Sequence, residues 1–331
     1  MDPTAKTPES IKVVFLGPLG TYSHQAVLKL SGKGTLQLAP QTSIREVVLH
    51  GAQDARLGHT VVVILPIENS TQGIVHEALE SLTNSHLFSQ HGLRIVDEID
   101  LTVAHALIVK SIIPNSFESI KEVHSHEQAL GQCEKFLNKY LPHALRIPSH
   151  STAEAVAKLN QSPPGRVAAI ASELCAVMFG MPVLAKSIQM TQSNFTRFLV
   201  CTNNLEDERV ARILELNRAA LSFPKNPIHA AYRLKTFTLD VGAQIASFTD
   251  SLRRDVPAPW SLYGEVYVCE PEGHETSDRW FLFEMHATPH EAKTYPAESD
   301  VPTQAIHSAL GLSEDATLEC LGVWQIPSVA P

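Results

Sequence analysis

Asn194-Phe195-Thr196-Arg197-Phe198-Leu199-Val200 sets a hydroxyl beside a guanidinium, flanked by aromatic and aliphatic residues. A strand entering a cleft would offer Thr196 and Arg197 together to an anionic ligand, because arginine grips a carboxylate through two parallel N–H bonds. On this segment alone, an ordinary edge strand with one snorkelling arginine is the favoured reading. The other polar segments have to decide.

Three of them sit where an apolar run gives way to a helix. Pro66-Ile67-Glu68-Asn69-Ser70-Thr71-Gln72-Gly73 follows the β-branched run Val61–Ile67. In open α/β sheets ligands bind at the carboxyl ends of strands. A helix cap would account for Ser70 or Thr71, but four polar groups in a row exceed what capping needs. Gly17-Pro18-Leu19-Gly20-Thr21-Tyr22-Ser23 is a strand–turn–helix whose free N–H groups could hold an anion, although such turns are more often plain connections. Its Gly17-x-x-Gly20 spacing is not a dinucleotide fingerprint, no acidic residue closes Leu36–Ala39, and no Walker lysine follows. His124-Ser125-His126-Glu127-Gln128 joins a strand to a helix. In extended chain His124 and His126 face opposite ways, and His286 and His290 enclose Pro289, so zinc is not expected. Ser125 and Gln128 are expected to donate hydrogen bonds into a cleft. No GxSxG elbow and no Ser/Cys–His–Asp arrangement stands out.

Strands alternating with helices must position these segments. Ile11–Leu16, Val61–Ile67, Leu93–Ile99 and Thr102–Val109 read as strands. Helices are expected over Gln25–Leu30, capped by Ser23 or Thr21, over Ser43–His50 with Glu46 closing a capping box, and over Gly73–Ser85. A second unit has strands Glu122–Ser125, Val167–Ala171 and Leu184–Ile188, and helices Glu127–Tyr140, Thr152–Asn160 and Ser172–Phe179, before the strand Thr196–Cys201. Such alternation predicts α/β architecture with mostly parallel sheets. Residues 203–212 read as a charged linker. Beyond Arg218 the expected elements are a strand at Ala219–Phe223, a helix at Pro227–Phe237, strands at Ala243–Ser247, Leu262–Glu270 and Trp280–Ala287, a helix at Thr303–Leu310 and a strand at Leu318–Gln325. That order suggests a small ferredoxin-like α+β domain.

At 331 residues the chain has room for two domains. A net charge of −9 argues against nucleic acid as a partner. No apolar run is long enough to span a membrane, and Val13–Leu16 is too short for a signal-peptide core. Cys133, Cys175, Cys201, Cys269 and Cys320 are widely spaced with no CxxC pair, which fits reduced thiols and a cytoplasmic location.

Taken together, the segments resemble the prephenate dehydratase family. GPLGTYS, PIENSTQG, SHEQAL, Ser151-Thr152-Ala153, Ala168–Ser172 and NFTRF arrive in the family's order between about Val13 and Thr202. The resemblance implies a two-lobed, periplasmic-binding-protein-like (type II) catalytic domain over residues 11–202. Its first lobe would hold about residues 11–104 plus 189–202, its second about 105–188, and the active site would lie between them. A linker over 203–217 and a ferredoxin-like ACT regulatory domain over 218–326 complete the implied layout.

The implied reaction converts prephenate to phenylpyruvate, water and carbon dioxide, with no cofactor and no metal. Prephenate is a dianion, which suits Arg197 and helix N-termini. Its hydroxide leaves poorly without a proton donor. By resemblance Thr196 polarises the leaving hydroxyl, Arg197 assists, and Glu68 with Asn69 orients the ring; these four form the catalytic set. Gly20, Thr21, Tyr22, Ser23, Ser70, Ser125, Gln128, Ser151, Thr152, Asn194 and Phe198 are the implied substrate-binding residues. The chain departs from the family at Glu127, where proline is usual, and at Met190, where many members carry Asp. It also lacks the family's Gly-Ala-Leu and Glu-Ser-Arg-Pro signatures. Ile228, His229, Ala230 and Ala231 stand at the first of these, so control by L-phenylalanine is expected to be altered. A homodimer or homotetramer is implied. Arogenate dehydratase, or a non-catalytic ligand sensor on the same fold, are the alternatives.

Overall fold

The computed structural model describes residues 10–30, 35–83, 88, 91–112, 116–219, 228–236, 241–256, 260–269, 279–287, 303–310, 312 and 316–325. The first lobe opens with β1 (Ile11–Leu16), α1 (Tyr22–Leu30), β2 (Leu36–Gln41), α2 (Ile44–Arg56), β3 (Val61–Asn69), β4 (Gly73–Ile74), α3 (His76–Thr83) and β5 (Arg94–Thr102). The second contains β6 (Ala106–Val109), α4 (Ser116–Ser119), β7 (Glu122–Ser125), α5 (Glu127–Gln132), α6 (Glu134–Tyr140), β8 (Leu145–Pro148), α7 (Thr152–Leu159), β9 (Val167–Ala171), α8 (Glu173–Phe179) and β10 (Val183–Ala185). β11 (Phe195–Thr202) returns to the first lobe, and α9 (Glu208–Ala219) follows. A C-terminal unit then runs β12 (Ile228–Thr236), α10 (Val241–Asp255), β13 (Trp260–Cys269), β14 (Arg279–Ala287), α11 (Thr303–Ala309) and β15 (Thr317–Gln325).

The second lobe is a separate sheet of order β10-β6-β9-β7-β8. In the first lobe the order is β5-β11-β3-β1-β2, with β1 parallel to β2 and β3 while β11 runs antiparallel to both β3 and β5. The sheets are therefore mixed rather than mostly parallel. β3 shows why its sequence is so uniformly apolar. Val61, Val63 and Leu65 face α2 and α3, while Val62 and Ile64 face α1 and α9, so both sides are buried. Capping matches the serine positions: Ser43 Oγ accepts from Glu46 N at 3.2 Å and Ser151 Oγ from Glu154 N at 3.0 Å. The two crossings between lobes are bonded to each other, with Val103 N donating to Asn194 O at 2.8 Å and Ile188 N to His105 O at 3.0 Å.

The C-terminal unit has the antiparallel order β13-β14-β12-β15, the ferredoxin-like arrangement. Two of its elements reverse the sequence expectation. Residues 228–236 form a strand instead of a helix, and Ala243–Ser247 lies inside α10 instead of a strand. β12 hides its alternation because both faces are covered: Ala230, Tyr232 and Leu234 pack in the unit's own core, while Ala231 packs against the first lobe. At the proposed strand 219–223, Ala219 ends α9 and the remainder lies outside the described residues, as does Ser85.

β15 joins the ten-stranded sheet by pairing in parallel with β5, Gly322 opposite Ile95. A Cβ on Gly322 would fall 2.0 Å from the Ile95 carbonyl oxygen. Gly322→Ala is expected to destabilise the chain at the upper end of the about 1–3 kcal/mol typical of overpacking, read as a lower denaturant midpoint. An unchanged midpoint would mean that this pairing is dispensable.

Candidate active site

A cleft of about 510 Å³ opens between the lobes. Three helices of two turns or more point their N-termini at it: Tyr22 and Ser23 begin α1, Thr42 and Ser43 precede α2, and Ser151 and Thr152 begin α7. Their free N–H groups and dipoles make the walls favourable to anions. Among the described residues, those lining the cleft include no lysine and no arginine.

Thr196 and Asn69 meet in the floor, opposite each other in the β11–β3 ladder. Asn69 Oδ1 accepts from Thr71 N at 3.0 Å and Gln72 N at 3.2 Å, closing an Asx turn. That fixes the amide, so Asn69 Nδ2 donates to Thr196 Oγ1 at 3.0 Å and to Phe195 O at 3.2 Å. The threonine oxygen is thus an acceptor toward the protein. Its own proton is left to point into the cleft. Phe198, two residues on and on the same face, lines the cleft as an apolar base.

Arg197 is not in the cleft, and this corrects the sequence expectation. Consecutive strand residues face opposite sides, so Thr196 and Arg197 cannot both serve one ligand. Arg197 is 6% exposed and lies on the reverse of the sheet. Its Nη1 and Nη2 each donate to a Glu284 oxygen at 2.9 Å, and Nη1 also reaches Glu98 Oε2 at 3.3 Å. Glu68, paired with Arg197 in the ladder, shares that side, its Oε2 lying 3.5 Å from Arg197 Nε. It therefore takes no part in orienting a ring in the cleft. Burial pushes the Glu98 carboxyl up to about 7, against the opposing pull of Arg197.

The other expected residues divide. Thr21, Tyr22, Ser23, Gln128, Ser151 and Thr152 line the cleft. Gly20, Ser70, Ser125 and Asn194 do not. Gly20 takes φ +92, and a Cβ there would meet Cys175 Sγ of the second lobe at 3.1 Å, so glycine is needed for close approach. Ser70 Oγ accepts from Phe195 N at 3.0 Å and donates to Asn194 Oδ1 at 3.2 Å, which pins the entry to β11. Ser125 is fully buried and donates to Ile170 O at 2.6 Å, a purely structural bond. Ile228–Ala231 open β12, and His229, Ala230 and Ala231 are buried there.

Several cleft residues escaped the sequence reading. His105 and Gln132 belong to a network that ties both crossings together. Tyr22 Oη donates to Ala104 O at 2.8 Å and lies 3.0 Å from His105 Nδ1. His105 Nε2 lies 2.8 Å from Gln132 Oε1, which also accepts from Asn194 Nδ2 at 3.2 Å. Burial pulls the His105 imidazole below its usual range. Gln132 could have been found, since it lies one helical turn beyond Gln128 on the same face. His105 carried no local signal.

The family model for prephenate dehydratase matches residues 13–205, more than half of the chain. A bifunctional chorismate mutase/prephenate dehydratase of Neisseria gonorrhoeae is 30% identical over 267 residues, covering 80% of this chain and 67% of the relative. Against other bifunctional relatives the chain spans only about half of their length. The solved prephenate dehydratase of Arthrobacter aurescens in complex with L-Phe has TM-score 0.69 at 21% identity, covering 95% of this chain and 90% of that one. GqqA, described as a novel type of quorum quenching acylase, has TM-score 0.68 at 19% identity, covering 96% and 98%. At such identities the structures share the fold, and fold alone does not assign an activity. The family model matches the sequence across both lobes of the cleft that holds Thr196 and Asn69, and on that match the chain belongs to the prephenate dehydratase family.

Proposed function

We propose that the chain converts prephenate to phenylpyruvate, water and carbon dioxide. The observation that carries this reading is the Thr196 hydroxyl, held by Asn69 as an acceptor with its proton free, in a cleft rimmed by helix N-termini. The N-termini of α1, α2 and α7 take the two carboxylates, replacing the role first given to Arg197. Thr196 donates to the departing C4 hydroxyl while the C1 carboxylate leaves as carbon dioxide. The electron pair from the breaking C–C bond moves into the ring, expels the hydroxyl as water and completes the aromatic system. The proton for that water comes through Thr196 from solvent, since an alcohol is too weak an acid to surrender it outright. No step calls for a nicotinamide or a metal. Cytoplasmic location, a homodimer or homotetramer, and L-phenylalanine as effector belong to the same reading; among the described residues, no helix is long and apolar enough to cross a membrane.

The test is phenylpyruvate formation from prephenate, followed by its absorbance in alkali, with L-phenylalanine formation from arogenate followed in parallel by amino-acid analysis. Turnover of prephenate with the larger kcat/KM supports the reading. A larger kcat/KM on arogenate would move the substrate to its amino analogue. Tight prephenate binding without turnover would make the chain a sensor.

A further inference from the structure

The contacts behind Thr196 come from two parts of the chain. Glu98 on β5 and Glu284 on β14 both converge on Arg197 from the side away from the cleft. Glu284, from the C-terminal unit, makes the bidentate contact, the strongest geometry available to a guanidinium. Glu98 is occupied elsewhere as well, its Oε2 accepting from Trp324 Nε1 at 3.0 Å. Among the described residues Arg197 Nε has no hydrogen-bond partner, so Glu284 is the main director of the side chain.

β11 needs direction at this point. Arg197 pairs with Glu68 and Phe198 with Pro66, which leaves Ile67 as the extra residue of a bulge in β3. Pro66 also has no N–H to give to the ladder. On this edge the β3–β11 ladder is therefore irregular within two residues of Thr196, while on the other edge β11 pairs regularly with β5 from Phe195 to Val200. A bulge raises local twist and re-aims the side chains of its own strand, here that of Asn69, whose amide holds the Thr196 hydroxyl, so small shifts between β3 and β11 disturb that contact.

We infer that Glu284 is a positioning residue for the active site: by holding Arg197 it sets the conformation of β11 at Thr196, which makes the C-terminal unit part of the catalytic scaffold. The kinetic arm of this inference rests on the proposed dehydratase activity; the structural arm does not. A built-in control exists. Arg233 on β12 crosses the same interface, donating to Leu82 O at 3.2 Å and Thr83 O at 3.3 Å and pairing with Glu319, none of which is among the ion-pair partners of Arg197.

The experiment compares full-length Glu284→Gln, Glu284→Asp and Glu319→Gln with the parent chain, by amide hydrogen exchange over residues 194–199 and by steady-state kinetics on prephenate. Glu284→Gln is expected to speed exchange in that stretch about tenfold and to lower kcat about tenfold with KM within about twofold, as loss of orientation does. Glu284→Asp keeps the charge and recovers part of both. Glu319→Gln changes neither beyond about twofold, because the contact it removes is to Arg233 and sites without shared partners act independently. Parent-like exchange at 194–199 in folded Glu284→Gln, or equal effects from Glu319→Gln, overturns the inference. If Glu284→Gln does not fold, Glu284→Asp decides by the same exchange criterion. If the parent chain does not turn over prephenate, the dehydratase reading fails and exchange alone judges the positioning role.

Discussion

Thr196→Ala is expected to lower kcat on prephenate by about 100- to 1,000-fold, the cost of removing one donor aimed at developing charge in a closed site. KM is expected to change far less, because in the proposed binding mode the carboxylates sit at helix N-termini on other elements. The lower part of the general-acid range applies, since a threonine hydroxyl relays a proton more than it supplies one. Asn69 adds to the effect: with Thr196 gone, its Nδ2 keeps only the Phe195 carbonyl as a partner. Thr196→Ser retains the hydroxyl and is expected to keep kcat within about tenfold of the parent. Steady-state kinetics of the two variants make the check. A kcat for Thr196→Ala within about threefold of the parent would remove Thr196 from the chemistry altogether.

Arg197→Ala is expected to cost about 3–5 kcal/mol of stability, the penalty for breaking a buried ion pair from one side. Glu98 is 2% exposed and Glu284 7% exposed, so neither carboxylate can turn to water when the guanidinium goes. The loss is read from denaturant unfolding and carries a pH signature. Glu98 already has its folded value raised to about 7 by burial. A raised folded value binds a proton more tightly in the native state. Its contribution is therefore present below the unfolded carboxyl value and declines as pH rises toward about 7. Without Arg197 the Glu98 carboxyl loses the charge that opposes its burial and is driven further up. The variant's deficit is then smaller near pH 5 than near pH 8. An equal deficit at both pH values, or a loss below about 1 kcal/mol, would show that the cluster is screened by solvent.

These two outcomes separate neighbours that the sequence presents as a pair. The motif Thr196-Arg197 was visible, and so was its partnership with Glu68-Asn69. What local reading passed over is the alternation of a strand, which sends Thr196 and Asn69 one way and Arg197 and Glu68 the other. The acceptors of Arg197 come from β5 and β14, and nothing near residue 197 announces them. Strands β1 and β3 were legible because both faces are buried and their residues are β-branched or aliphatic. The same burial on both faces made β12 illegible, because its alanines and mixed polar residues carry no β-branched signature. His105 and Gln132 enter the cleft through contacts between distant segments, which spacing along the chain does not encode.

The paired crossings between the lobes have a mechanical meaning. Residues 103–105 and 188–194 run side by side and are laced by Val103 N to Asn194 O, Ile188 N to His105 O and His105 N to Gln189 Oε1. Two bodies joined by a pair of laced straps swing easily about the straps but resist sliding and torsion, which would tear the lacing. The cleft can then change its gape while Thr196 on one jaw keeps the same opposite number on the other. For the proposed reaction, in which groups leave from both ends of one ring, that restriction keeps α7 on the second lobe in register with Thr196, α1 and α2 on the first at every degree of closure.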